Sequence, residues 1–199
     1  MGFLKSLFTS TAEDPQAKQQ KEIHKKFELL KYDGMRAHRM EQIDIAVQCF
    51  EKALLLEDDF ETRGYLARLY IRTHRMGEAH SLLYPMFQEE PTHLPTLMAL
   101  GYTYYLLNMY DRAAELAQTV LSIEENNAEA HTLLGAAIIR QINKDNNPDA
   151  DILLVAGVAQ LTIALMLDET LRNARLLRAQ TCLLMYRYDD ARADAEYLL

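Results

Sequence analysis

The stretch LMALGYTYYLLNMYDRAAE, Leu97 to Glu115, decides the fold. It sets a Leu-Gly pair (Leu100, Gly101) one turn before Tyr104, then a second small residue, Ala113, twelve positions after the glycine. The first small residue recurs at Gly34, Ala67, Gly101 and Gly135, at intervals of 33, 34 and 34. Ala46, Ala79 and Ala113 each follow their partner by twelve, and Ala179 and Ala191 are again twelve apart. Two helices that cross closely need small residues at the crossing, because a long side chain there holds the backbones apart. A single such pair cannot bury its own apolar faces, so neighbouring pairs must stack.

In Leu97, Leu100, Gly101, Tyr104 and Ala113, and in its period, the chain resembles the tetratricopeptide-repeat family over roughly residues 27–199. The resemblance implies an all-α fold, a right-handed α-α superhelical solenoid of about five tetratricopeptide-type helix pairs. Units are expected near 27–59, 60–93, 94–127, 128–171 and 172–199, within one solenoid domain covering 15–199. First helices are expected near 27–40, 61–74, 94–107, 128–141 and 172–185. Second helices are expected near 43–57, 77–89, 110–123, 152–167 and 188–199. Asp14-Pro15 reads as a helix start that extends the first helix backwards through Gln16 to Lys26. Some units depart from the pattern. Arg63 replaces a bulky aromatic, and Arg175 and Arg178 stand where apolar residues are usual. In the fourth unit the second small residue is Gly157, twenty-two positions after Gly135, which predicts a polar loop insertion over 143–151.

Composition narrows the function. Hydrophobic residues make up 49% of 199, enough for a core, and seven Gly with five Pro argue against a turn-rich β fold. A net charge of −8 speaks against nucleic-acid binding, since phosphate affinity rests on Lys and Arg. Cys49 and Cys182 read as small buried residues of a reducing, cytoplasmic chain. The longest apolar run, Ile152 to Leu167, is interrupted by Gln160 and Thr162 and falls short of the roughly twenty residues of a spanning helix, so no integral membrane segment is expected. Residues 1–14 form an apolar N-terminal segment in which Phe3, Leu4, Leu7 and Phe8 share a stripe suited to docking. Gly2 and Ser6 fit the loose myristoylation pattern, a weaker reading of the same segment.

No catalytic constellation is present: there is no phosphate loop, nucleophile elbow, HExxH or CxxC. The six histidines contain no i, i+4 pair, and no cofactor or metal is expected. Asp145, Asn147, Asp149 and Asp151 alternate like calcium ligands, but Ala150, Ala156 and Pro148 break that loop pattern. The Tyr-rich run Tyr102, Tyr104, Tyr105 and Tyr110 suits packing before base stacking, because Tyr104 and Tyr110 hold the family's packing positions.

Charge is distributed unevenly. The second helices with their loops hold 22 acidic and 5 basic residues, whereas the first helices hold 4 acidic and 11 basic. Because the resemblance implies a concave groove lined by first helices, this split predicts a mildly electropositive groove in an acidic shell. The family's groove positions, which share one helix face, fall here on Lys31, Met35, His38 and Arg39, on Arg68, Ile71 and Arg72, on Met98, Tyr102 and Tyr105, and on Ile139 and Arg140. They do not reproduce the carboxylate clamp that grips chaperone tails: Lys31 matches it, but Met35, Arg68, Met98 and Tyr102 do not. The expected function is a non-catalytic protein- or peptide-binding scaffold whose partner carries acidic and apolar residues. Two alternatives are a dedicated chaperone for a secreted or assembly client and a regulatory repeat domain of a longer protein. Leu183, Leu184, Tyr197, Leu198 and Leu199 lack a polar cap, which predicts either continuation of the chain or self-association through that face.

Overall fold

Four of the helix pairs turn at one residue held in the left-handed region. Glu41, His74, Asn108 and Tyr186 have φ of 58–59°. Immediately after each, a backbone N–H reaches back five residues: Gln42 to the Ala37 carbonyl, Arg75 to Tyr70, Met109 to Tyr104 and Arg187 to Cys182, at 2.8–2.9 Å. This closure satisfies carbonyls that a helix end otherwise leaves open, and sends the chain back antiparallel. The computed structural model describes residues 14–142 and 149–199. Among them are ten helices and no strand: α1 (Pro15–Arg39), α2 (Ile43–Leu54), α3 (Phe60–Arg72), α4 (Met76–Glu89), α5 (Leu94–Leu106), α6 (Tyr110–Ile123), α7 (Ala128–Gln141), α8 (Ala150–Leu167), α9 (Arg172–Leu184) and α10 (Tyr188–Leu198). The all-α helix-pair architecture and the small-residue register are both as expected. The N-terminal apolar stripe and loop residues 143–148 lie outside the described residues.

The chain divides into two compact units, one ending at Leu69 and the other running from Tyr70 to Leu199. In the first, α1 begins on Asp14, whose carboxylate accepts the Gln16 N–H at 3.1 Å, with Pro15 at the first helical position. α1 packs on α2 around Gly34, where a Cβ would lie 2.7 Å from the Phe50 ring. Phe50 also stacks on Tyr65 of α3 at 5.6 Å. Arg63, the departure from an aromatic position, lies over the Phe60 ring and pairs with Asp58 at 3.1 Å.

In the second unit consecutive helices pack from α4 to α10, and the first helices α5, α7 and α9 also touch one another in a row. Crossing residues Ala79, Ala113, Ala179 and Ala191 are buried. At α7 and α8 the backbones come closest: a Cβ on Gly135 would stand 2.9 Å from the Gly157 carbonyl, and one on Gly157 would stand 2.5 Å from Ile139 Cγ1. One core cluster joins Ile139, Leu161, Leu165 and Ala174, and a second joins Val158, Cys182 and Ala191.

Helix α8 is longer than the apolar run Ile152 to Leu167, contrary to the expectation that no segment is long enough to span a membrane. Ala150 and Asp151 join the helix, so α8 reaches 18 residues and is long and apolar enough, by length and composition alone, to cross a bilayer. Here its Gly157, Val158, Leu161, Ala164 and Leu165 are buried in the core shared with α7 and α9.

Candidate functional site

Five of the eleven basic residues on the first helices remain exposed with no ion pair among the described residues: Arg39, Arg68, Arg72, Arg140 and Arg172, the last of which donates to a backbone carbonyl. The others are engaged inside the chain. In the first unit Lys31 Nζ lies 2.9 Å from Asp59 and 2.8 Å from Glu61. Burial opposes the charge on Asp59, but hydrogen bonds from the Thr62 hydroxyl and Lys31 outweigh it and hold its carboxyl below the ordinary range. Burial likewise opposes the charge on Lys31, and its bonds to Glu61 and Asp59 overcome that and raise its pKa. Any ligand carboxylate would therefore compete with two in-chain acids for Lys31. Arg36 pairs with Asp33, Arg63 with Asp58 and Arg75 with Glu78.

The arginines of α9 serve the fold. Asp194 on α10 is 2% exposed and takes Arg178 through Nη2 at 2.6 Å and Nε at 2.8 Å. Arg175 Nη1 lies 3.4 Å from the same carboxylate, and its guanidinium stacks 3.5 Å above the Tyr197 ring. Arg172 donates to the Leu198 carbonyl at 2.9 Å. Arg175 and Arg178 thus replace the usual apolar residues with a buried ionic tie that holds α10 on α9.

The predicted groove residues divide between the two units. In the first, Met35 and His38 are half-buried, Arg39 is exposed, and Arg68 lies 5.0 Å over the Tyr65 ring. In the second, Arg72 is exposed, and Ile71, Tyr102 and Tyr105 are half-buried. Burial, helped by the Glu129 charge, pushes the Tyr102 hydroxyl up to about 12, so it stays neutral and able to donate. Tyr105 stands edge-on to Tyr110 at 5.5 Å, and its hydroxyl accepts from Arg140 Nε at 3.3 Å. Met98 and Ile139 are each only 8% exposed and offer little surface, Ile139 because it fills the space over Gly157. The residues that combine access with chemistry are therefore Arg39 and Arg68 in the first unit, and Arg72 and Arg140 with Tyr102 and Tyr105 in the second.

Two further surfaces stand out in the second unit. Between α9 and α10 lies an open groove of about 400 Å³ lined by Leu176, Ala179, Leu183, Tyr188, Ala191 and Leu198. Leu184, Tyr197 and Leu199 are also exposed at this end. On α8, Ile152, Val155, Ile163, Met166 and Leu167 face solvent. Hydropathy along the chain marks α8 as apolar, but only its packing shows which of its residues are left outside.

The tetratricopeptide-repeat family pattern matches residues 74–137. The fold is similar to that of MamA, residues 41 to the end, from Desulfovibrio magneticus RS-1: 19% identity over 86% of this chain and 90% of that one, with a TM-score of 0.66. It is also similar to TTC0263, a thermophilic TPR protein of Thermus thermophilus, at 20% identity over 87% of this chain and 90% of that one, with a TM-score of 0.67. No protein of curated function matches the sequence significantly.

Proposed function

We propose that this chain, a tetratricopeptide-repeat protein in its fold and in the family pattern at its centre, is a non-catalytic scaffold. Its first-helix faces bind a protein segment rich in acidic and apolar residues. The fold by itself implies a protein-interaction scaffold; the chemistry of the segment rests on one observation. Among the described residues, the first-helix cations left exposed with neither an ion pair nor a backbone carbonyl are Arg39 and Arg68 in the first unit, and Arg72 and Arg140 in the second, which also carries the half-buried rings of Tyr102 and Tyr105. Exposed guanidinium groups attract carboxylates and steer encounter, and rigid rings add contact area at little entropic cost. The same reading places the chain in a reducing cytoplasm: Cys49 and Cys182 are free thiols, and burial pushes the Cys182 thiol up and keeps it unreactive. The open α9–α10 groove is read as a surface for self-association.

Charge reversal tests the main reading. Fluorescence anisotropy with a labelled peptide of alternating Glu and Leu/Phe should show binding that weakens as salt rises. The double variant Arg68→Glu/Arg72→Glu should weaken it about tenfold and flatten its salt dependence. Unchanged binding in the double variant would move the site off these helices. For the α9–α10 groove, sedimentation equilibrium at two concentrations should show association that Leu176→Gln/Leu183→Gln removes.

A further inference from the structure

The outer face of α8 carries an apolar seam that none of the helix's own packing uses. Ile152, Val155, Ala159, Ile163 and Met166 are all exposed, Met166 at 82% and Ile152 at 68%. Their spacing of three, four, four and three residues keeps them on one side of the helix. The buried residues Gly157, Val158, Leu161, Ala164 and Leu165 occupy the opposite side. At 1.5 Å per residue the seam is about 21 Å long, roughly four turns. No charged residue lies between Asp151 and Asp168, so the seam is uncharged along its length and closed by acid at both ends: Asp151 at the start, Asp168 and Glu169 at the finish. Asp168 is kept ionised by bonds from the Thr170 hydroxyl and N–H at 2.6 and 2.9 Å. Contiguous exposed apolar surface of this kind marks an interaction site.

We infer that this seam is a docking site for an amphipathic helix of another protein, one whose apolar stripe spans about four turns and is flanked at both ends by Lys or Arg. Charge selects this occupant. A second copy packed seam to seam would bring its own Asp151, Asp168 and Glu169 against the same acids of this one. A lipid surface is disfavoured for a related reason. Helices that lie on membranes carry basic flanks, whereas this seam has acidic ones. Spanning would also strip the buried face of α8 out of the core. An apolar stripe that repeats at alternating intervals of three and four residues is the pattern by which two helices pack along one another.

The test uses the full chain and two labelled 22-residue helical peptides sharing one Leu/Ile stripe, one with Lys at both ends and one with Glu at both ends. By anisotropy the Lys-flanked peptide should bind at least tenfold tighter than the Glu-flanked one. Val155→Gln/Met166→Gln should lose that binding at unchanged melting temperature, while Arg68→Glu/Arg72→Glu should keep it, which separates this surface from the first-helix faces. Equal binding of both peptides, or binding that survives Val155→Gln/Met166→Gln, overturns the proposal. So does a dimer that the same α8 substitutions dissolve, which makes the seam a self-interface. Flotation with phosphatidylcholine vesicles that they abolish assigns the seam to lipid instead and likewise overturns it.

Discussion

Helices α6 and α8 hold the same place in successive pairs of one unit, yet only their inner faces are alike. On α6 the buried residues are Ala113, Ala114, Leu116, Ala117 and Val120, and on α8 they are Gly157, Val158, Leu161, Ala164 and Leu165. Both sets place a small residue at the crossing and larger ones a turn further on. The outer faces diverge. α6 exposes Asp111, Arg112, Glu115, Gln118, Thr119 and Ser122, with Ile123 its one large exposed apolar residue, whereas α8 exposes five. Packing constrains the inner face of a repeat helix and leaves the outer face to be chosen for something else, so an apolar outer face is informative about partners in a way that an apolar inner face is not.

If inner faces carry the stability, the largest effect should come from disturbing the polar tie buried there. Asp194→Ala leaves the Arg178 and Arg175 guanidinium groups without their buried carboxylate, and should cost about 3–5 kcal/mol in urea unfolding. A cost below about 1 kcal/mol would show that α10 is held mainly by its apolar contacts.

Next comes the crossing itself. Ala113 already carries on α6 the methyl that α8 lacks at Gly157. Gly135→Ala would set a Cβ against the Gly157 carbonyl and should lose about 1–3 kcal/mol despite the better helix propensity of alanine. Gly77→Ala, where nothing lies within 4 Å, should instead gain about 0.5–1 kcal/mol. Equal signs for the two glycines in thermal melts would break the account of the α7–α8 crossing.

The turns into the second helices give a smaller test. Asn108, ahead of α6, adopts the left-handed region at little cost, whereas Tyr186, ahead of α10, adopts it against the clash of its Cβ. Tyr186→Gly should therefore stabilise by about 1 kcal/mol and Asn108→Gly by less, measured side by side by urea unfolding. The smallest change is expected on the outer faces. Val155→Gln on α8 and Gln118→Val on α6 should each alter stability by less than about 0.5 kcal/mol. A hydrophobic dye should nevertheless bind less to the first variant and no less to the second. A large stability change at Val155 would mean that the seam is part of the core.

Much of this was legible as letters at fixed intervals. Gly34, Ala67, Gly101 and Gly135 announce crossings because a close helix contact excludes larger residues wherever it occurs, and Asp14-Pro15 announces a helix start through local hydrogen bonding. The candidate site was legible only in outline. Lys31 looks like a free groove cation until Asp59 and Glu61, 28 and 30 positions away, close on it. Met98 and Ile139 occupy groove register positions but sink into the packing. Arg175 and Arg178 register as departures from the pattern, with nothing in their neighbourhood to indicate that Asp194, sixteen or more residues on, is their partner.

The sequence by itself determined the helix pairs, their period and their crossings, because these follow from side-chain size and turn chemistry within short stretches. Tertiary structure alone decided which arginines remain exposed and which side of α8 is left uncovered. Those outcomes depend on pairs of residues far apart in the chain, whose attraction or contact comes into being only when folding brings them to within a few ångströms.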